Sequence, residues 1–269
     1  MKTFLLLLCL VFAVGAAAQD SLLVFELKGK AYLKTLDNKI QPLKVGNKFY
    51  AYHSRLEIDK GSSITLVSDT YKALTFTKSM AMVDIRKTFH PGKNTDVTGK
   101  YFAYVWEQFT HKHGSPEADR RKYMSNAGGV ARGCPGVDAD HLPDTIYYTG
   151  KSLVFNITHK LPAGRLQLAF QNADSAWRIN VDPSAVFFPA TEQLKPGTSW
   201  KWFLLIDRQQ PCKEGVIIYM TRAQYLLKEK ELNKQVIVSD PLEASNMLAF
   251  LLEASGYLDA AQDIYRNNH

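Results

Sequence analysis

From Ser21 to Phe89 apolar residues alternate with polar ones in short runs, each ending at turn-forming residues. Leu23-Val24-Phe25-Glu26-Leu27 runs into Lys28-Gly29-Lys30, Ala31-Tyr32-Leu33 runs toward Asp37-Asn38, and Ile64-Thr65-Leu66-Val67 ends at Ser68-Asp69. Each run is the signature of a short strand closed by a turn. With further runs at Ala73 to Thr77 and Met80 to Ile85 the expectation is at least six strands, spaced roughly ten residues apart as in an all-β sandwich or roll.

Residues 91 to 143 break that rhythm. Between Tyr101 and Phe109 the apolar period changes from two to nearly four, which predicts a helix with Phe102, Val105, Trp106 and Phe109 on one face. Ser115-Pro116-Glu117 combines an N-cap residue with proline at the first helical position, the start of a polar helix toward Ser125. Gly128-Gly129, Gly133 and Pro135-Gly136 then predict a loop.

Strand patterns return at Ile146-Tyr147-Tyr148, Leu153 to Ile157, Leu166 to Phe170, Trp177 to Val181, Trp200 to Ile206 and Val216 to Met220. The clean alternation of Trp177-Arg178-Ile179-Asn180-Val181 predicts an antiparallel sheet with one solvated face. The tail is helical. Asp240-Pro241-Leu242-Glu243 is a capping box with proline at the first helical position, and Leu248, Leu251 and Leu252 follow at helical spacing.

Three stretches resemble known families. Gly29-Lys30-Ala31-Tyr32-Leu33, Leu43-Lys44-Val45-Gly46-Asn47, Arg55-Leu56-Glu57-Ile58 and Gly61 to Val67 follow the order of features in the periplasmic domain of FecR-type proteins. That resemblance covers about 65 residues and implies a small β domain receiving a signal from an envelope partner; FecR-type regulators carry a cytoplasmic segment and a membrane helix before it, where a leader is expected here. Leu194-Lys195-Pro196-Gly197, Trp200-Lys201-Trp202 and Gly215-Val216-Ile217 resemble uncharacterised secreted proteins that end in a helical region. Gly256 to Ala261, with Tyr265, resembles the turn and second helix of one tetratricopeptide unit. A single unit of that kind cannot bury its own apolar face, so it must dock on the chain's own sheet or on a partner.

The first residues change where the chain is expected to work. Lys2 is followed by an apolar run from Phe4 to Val14 and by Gly15-Ala16-Ala17-Ala18, the pattern of a secretory signal peptide cleaved after Ala18. The run is shorter than the roughly 20 residues that span a bilayer, so no membrane span is expected in the mature chain. Asp144-Thr145-Ile146 and Asp174-Ser175-Ala176 resemble O-glycosylation sites of exported Bacteroidetes proteins, and Asn156-Ile157-Thr158 is an N-glycan acceptor pattern. The two Asp-led motifs, together with the Ala-Gln cleavage region, point to a bacterial periplasm or cell exterior, whereas Asn156-Ile157-Thr158 would accept an N-glycan in a eukaryote.

Composition adds less. With 46% hydrophobic and 22% charged residues the chain is ordinary for a folded protein, and its charge of +7 is spread along its length. Its densest basic patch, Arg120-Arg121-Lys122, is too short for a nucleic-acid footprint. Without Cys9, which leaves with the leader, Cys134 and Cys212 remain, an even count for an oxidising compartment, and each sits in a turn-like context. A bridge between them closes a loop of about 78 residues and stabilises by at most roughly 4 kcal/mol. Free thiols or a nucleophilic cysteine are the other readings.

Chemistry-bearing residues are few. His111-Lys112-His113, with His90, is the one metal-ligand spacing, but it follows a predicted helix and lacks the base that a His-Glu-x-x-His motif supplies. Asp138 and Asp140 lie two apart in a Gly/Pro loop, where calcium or plain solvation explains them as well as catalysis does, and solvation is the preferred reading. Trp200 and Trp202 share one strand face while Lys201 and Phe203 share the other, so the aromatics either stack on a ligand or fill a core.

The expected chain is mainly β with α additions (α+β): two β-sandwich or roll-like domains, a helical insert and a C-terminal helical hairpin. Its divisions are a signal peptide at 1–18, a FecR-like β domain at 19–90, an insert at 91–143, a second β domain at 144–222 and a helical region at 223–269. The expected function is protein or ligand binding in the envelope, in signal reception or scaffolding, with another envelope protein as the expected partner and without catalysis, metal, cofactor or nucleic acid. The alternative is a periplasmic hydrolase whose cleft gathers several of His53, His90, His111, Asp138 and Asp140.

Overall fold

The computed structural model describes residues 21–35, 37–50, 54–89, 94–110, 134–139, 142–181, 186–188, 195–207 and 211–268. These residues are mainly β, in several sheets, with five helices among them. They cluster into two compact units with the boundary between Thr95 and Asp96.

In the first unit two four-stranded antiparallel sheets share one core. One has the order β4-β1-β6-β7, from Lys48–Tyr50, Ser21–Lys28, Ser63–Ser68 and Ala73–Phe76. The other has the order β3-β2-β5-β8, from Ile40–Pro42, Ala31–Thr35, Ser54–Ile58 and Met80–Ala81. Alternation places Leu22, Val24, Ile64 and Leu66 of the first sheet and Ala31, Leu33 and Leu56 of the second in the same apolar cluster. The chain passes from β1 to β2 at Gly29, whose φ is +78°, and the Lys30 N–H donates to the Ser62 hydroxyl at 2.9 Å. A Cβ on Gly29 would lie 2.1 Å from the Ser62 hydroxyl oxygen, so both the turn and that approach require glycine.

The run from Met80 to Ile85, expected to be a strand, is only half one. After β8 the chain turns into helix α1, Met82–Thr88, because Met82 and Ile85 are the fully buried pair and their three-residue spacing fits one helix face. Val83, between them, is 57% exposed.

The second unit is built on a five-stranded sheet of order β10-β17-β16-β13-β14, from Thr145–Tyr148, Pro211–Tyr219, Ser199–Ile206, Leu166–Gln171 and Ala176–Asn180. Two short ribbons accompany it: β9 (Val137–Asp138) with β12 (Thr158–His159), and β11 (Val154–Phe155) with β15 (Val186–Phe187). The expectation of an antiparallel sheet holds for four strands, but β10 lies parallel to β17. Val154 and Phe155 alone of the run Leu153 to Ile157 form a strand. Cys212, expected in a loop, lies in β17, which starts at Pro211, where the missing N–H is tolerated at a strand's first residue.

One face of the five-stranded sheet is core. Leu168, Phe170, Trp200, Trp202, Leu204, Ile146 and Ile217 pack there with Phe155, Ile157 and Phe188. Trp200 and Trp202 are 1% and 0% exposed, so the pair fills a core and does not form an open stacking surface. Gly215, opposite Trp202, is required by two close approaches: a Cβ there would lie 2.4 Å from the Asp144 carbonyl oxygen and 2.5 Å from the indole nitrogen of Trp202. The Cys134–Cys212 disulfide ties the chain ahead of β9 to β17.

Four helices complete the second unit. Helix α2 (Val97–Thr110) buries Phe102, Val105 and Trp106, while Phe109, expected on the same face, is 47% exposed. Helix α3 (Arg222–Asn233) opens with a capping box, the Gln224 N–H donating to the Thr221 hydroxyl and the Thr221 N–H to the Gln224 side chain. Helices α4 (Pro241–Ala254) and α5 (Leu258–Asn267) form the C-terminal hairpin. Among the described residues no helix is long and apolar enough to cross a membrane.

Candidate functional site

The C-terminal hairpin concentrates buried polar chemistry. Asp240 caps α4, accepting hydrogen bonds from the Leu242 and Glu243 N–H groups at 3.0 Å each, and Pro241 takes the first turn, as the sequence pattern implies. The helix ends in a Schellman motif: the Tyr257 N–H donates to the Leu252 carbonyl and the Gly256 N–H to the Glu253 carbonyl, with Gly256 at φ +87°. A Cβ on Gly256 would lie 2.7 Å from the Thr145 carbonyl oxygen, and the Gly256 carbonyl accepts from the Tyr147 N–H at 2.9 Å. The turn between the helices thus rests directly on β10.

Helix α5 then grips the loop that follows β10. One carboxylate oxygen of Asp259 accepts from the Thr149 N–H and hydroxyl at 2.8 Å each and from the Lys151 N–H at 3.0 Å. The Gln262 amide closes a two-way pair with the Val154 backbone, at 2.8 and 2.7 Å, and Lys151 reaches Asp263 at 2.7 Å. Tyr147 stacks on Tyr257 with centroids 5.0 Å apart, and Leu258 enters the sheet's core cluster. On the far side α4 meets α2, where the Tyr101 hydroxyl donates to Glu243 at 3.2 Å and the Tyr101 and Phe250 rings lie 5.4 Å apart. The hairpin docks on its own chain.

Asp259, 0% exposed, is the one buried acidic or basic side chain among the described residues. Burial raises its pKa above the usual aspartate value, against the opposing pull of the Thr149 and Lys151 donors. The Tyr148 hydroxyl nearby is pushed up to about 12, first by burial and then by the Asp259 charge. A carboxyl whose folded pKa is raised binds its proton more tightly in the folded state than in the unfolded one. Its contribution to stability therefore falls as pH rises from the ordinary aspartate range to the raised value, and is constant above it. Asp259→Asn keeps an acceptor for the loop and should remove this slope, leaving neutral-pH stability within about 1 kcal/mol. Asp259→Ala strands the loop donors and should cost about 3 kcal/mol. Urea midpoints measured across the acid range check both; equal losses for the two variants would show that the carboxylate oxygen does not hold the loop.

The other face of the five-stranded sheet carries a shallow, open groove of about 220 Å³ near the β13–β14 hairpin. Its origin is the size pattern across the strands. Ala169 stands between Arg178 on β14 and Phe203 on β16, so two long side chains flank a small one. Leu205 and Pro211 continue the apolar floor and Gln171 adds an amide. Arg178 and Lys201 are exposed on this face without an ion-pair partner among the described residues. The alternation that separates Lys201 and Phe203 from the two tryptophans was the sequence signal for this surface. The hollow itself depends on Ala169, which only strand pairing brings between its neighbours.

The residues singled out for chemistry fare differently. His53, His90, His111, His113 and Asp140 lie outside the described residues, as do the leader at 1–18, Arg120-Arg121-Lys122 and the helix expected from Ser115. Asp138 is exposed on β9, opposite Thr158. Among the described residues no three His, Cys, Asp or Glu side chains gather as a metal site. Asp174 and Ser175 lie in the β13–β14 turn, held by the Asn172 side chain, while Thr145 is paired within β10. The chain matches no family model, no curated protein and no solved structure.

Proposed function

We propose that this chain is an exported, non-catalytic envelope protein that works by binding another envelope protein through the outer face of its five-stranded sheet. The observation that carries this reading is the groove around Ala169, Phe203 and Leu205. It is smaller than the roughly 300–1,000 Å³ of a small-molecule site and suits one or two side chains of a protein partner. Its lining of aromatic, aliphatic, amide and guanidinium groups is the kind that binds by burial and a directed charge. The leader pattern supports export, and the FecR-like order of turns at 29–67 supports a role for the first unit in receiving a signal.

The test is paired affinity capture from envelope extracts, using wild-type protein and Phe203→Glu. Phe203 is half-buried on the sheet face, and melting of the variant within a few degrees of wild type is the control that it folds. A partner recovered by wild type and lost from Phe203→Glu is the expected result. Recovery of the same proteins by both overturns the assignment of this face.

A further inference from the structure

We propose that the partner is an extended acidic segment that adds to β14 as a further strand of the five-stranded sheet; this rests on the binding function proposed above and specifies its ligand.

The backbone argument comes first. β14 is an edge strand, paired only with β13 among the described residues. The hairpin is closed by the Asn172 N–H donating to the Ser175 carbonyl, and at its other end the Val181 N–H donates to the Leu166 carbonyl. Hydrogen-bonded pairs alternate along an antiparallel ladder, so Trp177 and Ile179 turn their N–H and C=O groups toward β13. Ala176, Arg178 and Asn180 therefore turn theirs away, and all three are exposed. The edge offers three donors and three acceptors in strand geometry, a template for β-strand addition.

The side chains specify the sequence that would sit there. Toward the core, Trp177 and Ile179 are only half-buried, although the Trp177 ring stacks on Trp200 at 4.5 Å. An added strand with apolar residues on that face would cover them. On the other face Arg178 projects at the margin of the groove, exposed and without an ion-pair partner among the described residues, and Lys201 lies two strands away in the adjacent row. A residue directly opposite Arg178 on an added strand meets a cation, and opposite charges at such cross-strand positions stabilise pairing. The complement is a strand of alternating apolar and acidic residues. No bond is made or broken; the interaction is hydrogen bonding, burial and charge.

The experiment uses purified protein and a labelled peptide of roughly nine residues alternating Val and Asp, followed by fluorescence anisotropy. Three comparisons accompany it: the same peptide N-methylated at alternate residues, which removes the strand donors; a Val and Lys peptide; and the Arg178→Glu protein. Saturable binding of the acidic peptide is expected, weakened about tenfold or more by N-methylation and by Arg178→Glu, with Arg178→Glu gaining affinity for the basic peptide. Absence of binding, equal binding of acidic and basic peptides, or indifference to N-methylation each overturns strand addition. The failure of this inference is separable from that of the binding function. If the peptide fails while Phe203→Glu still loses a captured partner, the face binds without adding a strand; if capture is also unchanged, the binding face itself is wrong.

Discussion

Deleting residues 241 to 269 is expected to unfold the second unit, not to trim it. The hairpin buries Met247, Phe250, Leu251 and Leu252 fully or nearly so, and Leu258 is part of the sheet's own core. At about 1.5–3 kcal/mol for each buried side chain of this size, their loss removes roughly 10 kcal/mol. That rivals the whole stability of a domain, about 5–15 kcal/mol. Polar losses add to it, since the Thr149, Lys151 and Val154 backbone groups lose the Asp259 and Gln262 side chains that pair with them. Circular dichroism melting of the truncated protein should show the second unit's cooperative transition gone. A truncated chain that melts like the full one would mean that the hairpin contributes nothing to the fold, and that its apolar face is available to a partner.

Trp202→Ala is expected to lower stability by about 4 kcal/mol, in the range for removing a large aromatic from a packed core. Trp202 is 0% exposed, its ring lies 5.9 Å from Phe155 at a steep angle, and its nitrogen faces Gly215. That nitrogen is buried without a hydrogen-bond partner among the described residues, so Trp202→Phe loses volume but no hydrogen bond and should cost less than half as much. Urea unfolding of both variants separates the two roles considered for this tryptophan. A ligand-stacking residue would show little stability change for either. Near-equal stability of Trp202→Ala and wild type would therefore remove Trp202 from the core and return it to the surface chemistry that its Trp-Lys-Trp context also allows.

Local patterns alone determined much of the secondary structure. The strands at Leu23 to Leu27, Ile64 to Val67, Leu166 to Phe170 and Trp200 to Ile206 lie within β1, β6, β13 and β16 because a period of two with β-branched or aromatic residues has one good solution. The cap at Asp240 and the turn at Gly256 were equally legible, since both use the chemistry of one or two adjacent residues. The even cysteine count made a Cys134–Cys212 bridge the leading reading, and the two are bonded.

Tertiary structure decided what depends on residues far apart in sequence. A run such as Met80 to Ile85 fits either period over six residues, and the burial of Met82 and Ile85 in the first unit's apolar core resolves it as strand then helix. The parallel pairing of β10 with β17 joins segments about 70 residues apart, which no local pattern encodes. The grip of Asp259 on Thr149 and Lys151 spans about 110 residues, and in the sequence Asp259 is only an acidic residue near a helix start. The groove and the open edge belong to the same class. Alternation assigns Arg178 and Phe203 each to a strand face, but with Ala169 they become one surface only where register sets them side by side. Periodicity and capping are governed by forces acting within a few residues, whereas register, burial and the pairing of buried polar groups are settled by which surfaces exclude water together.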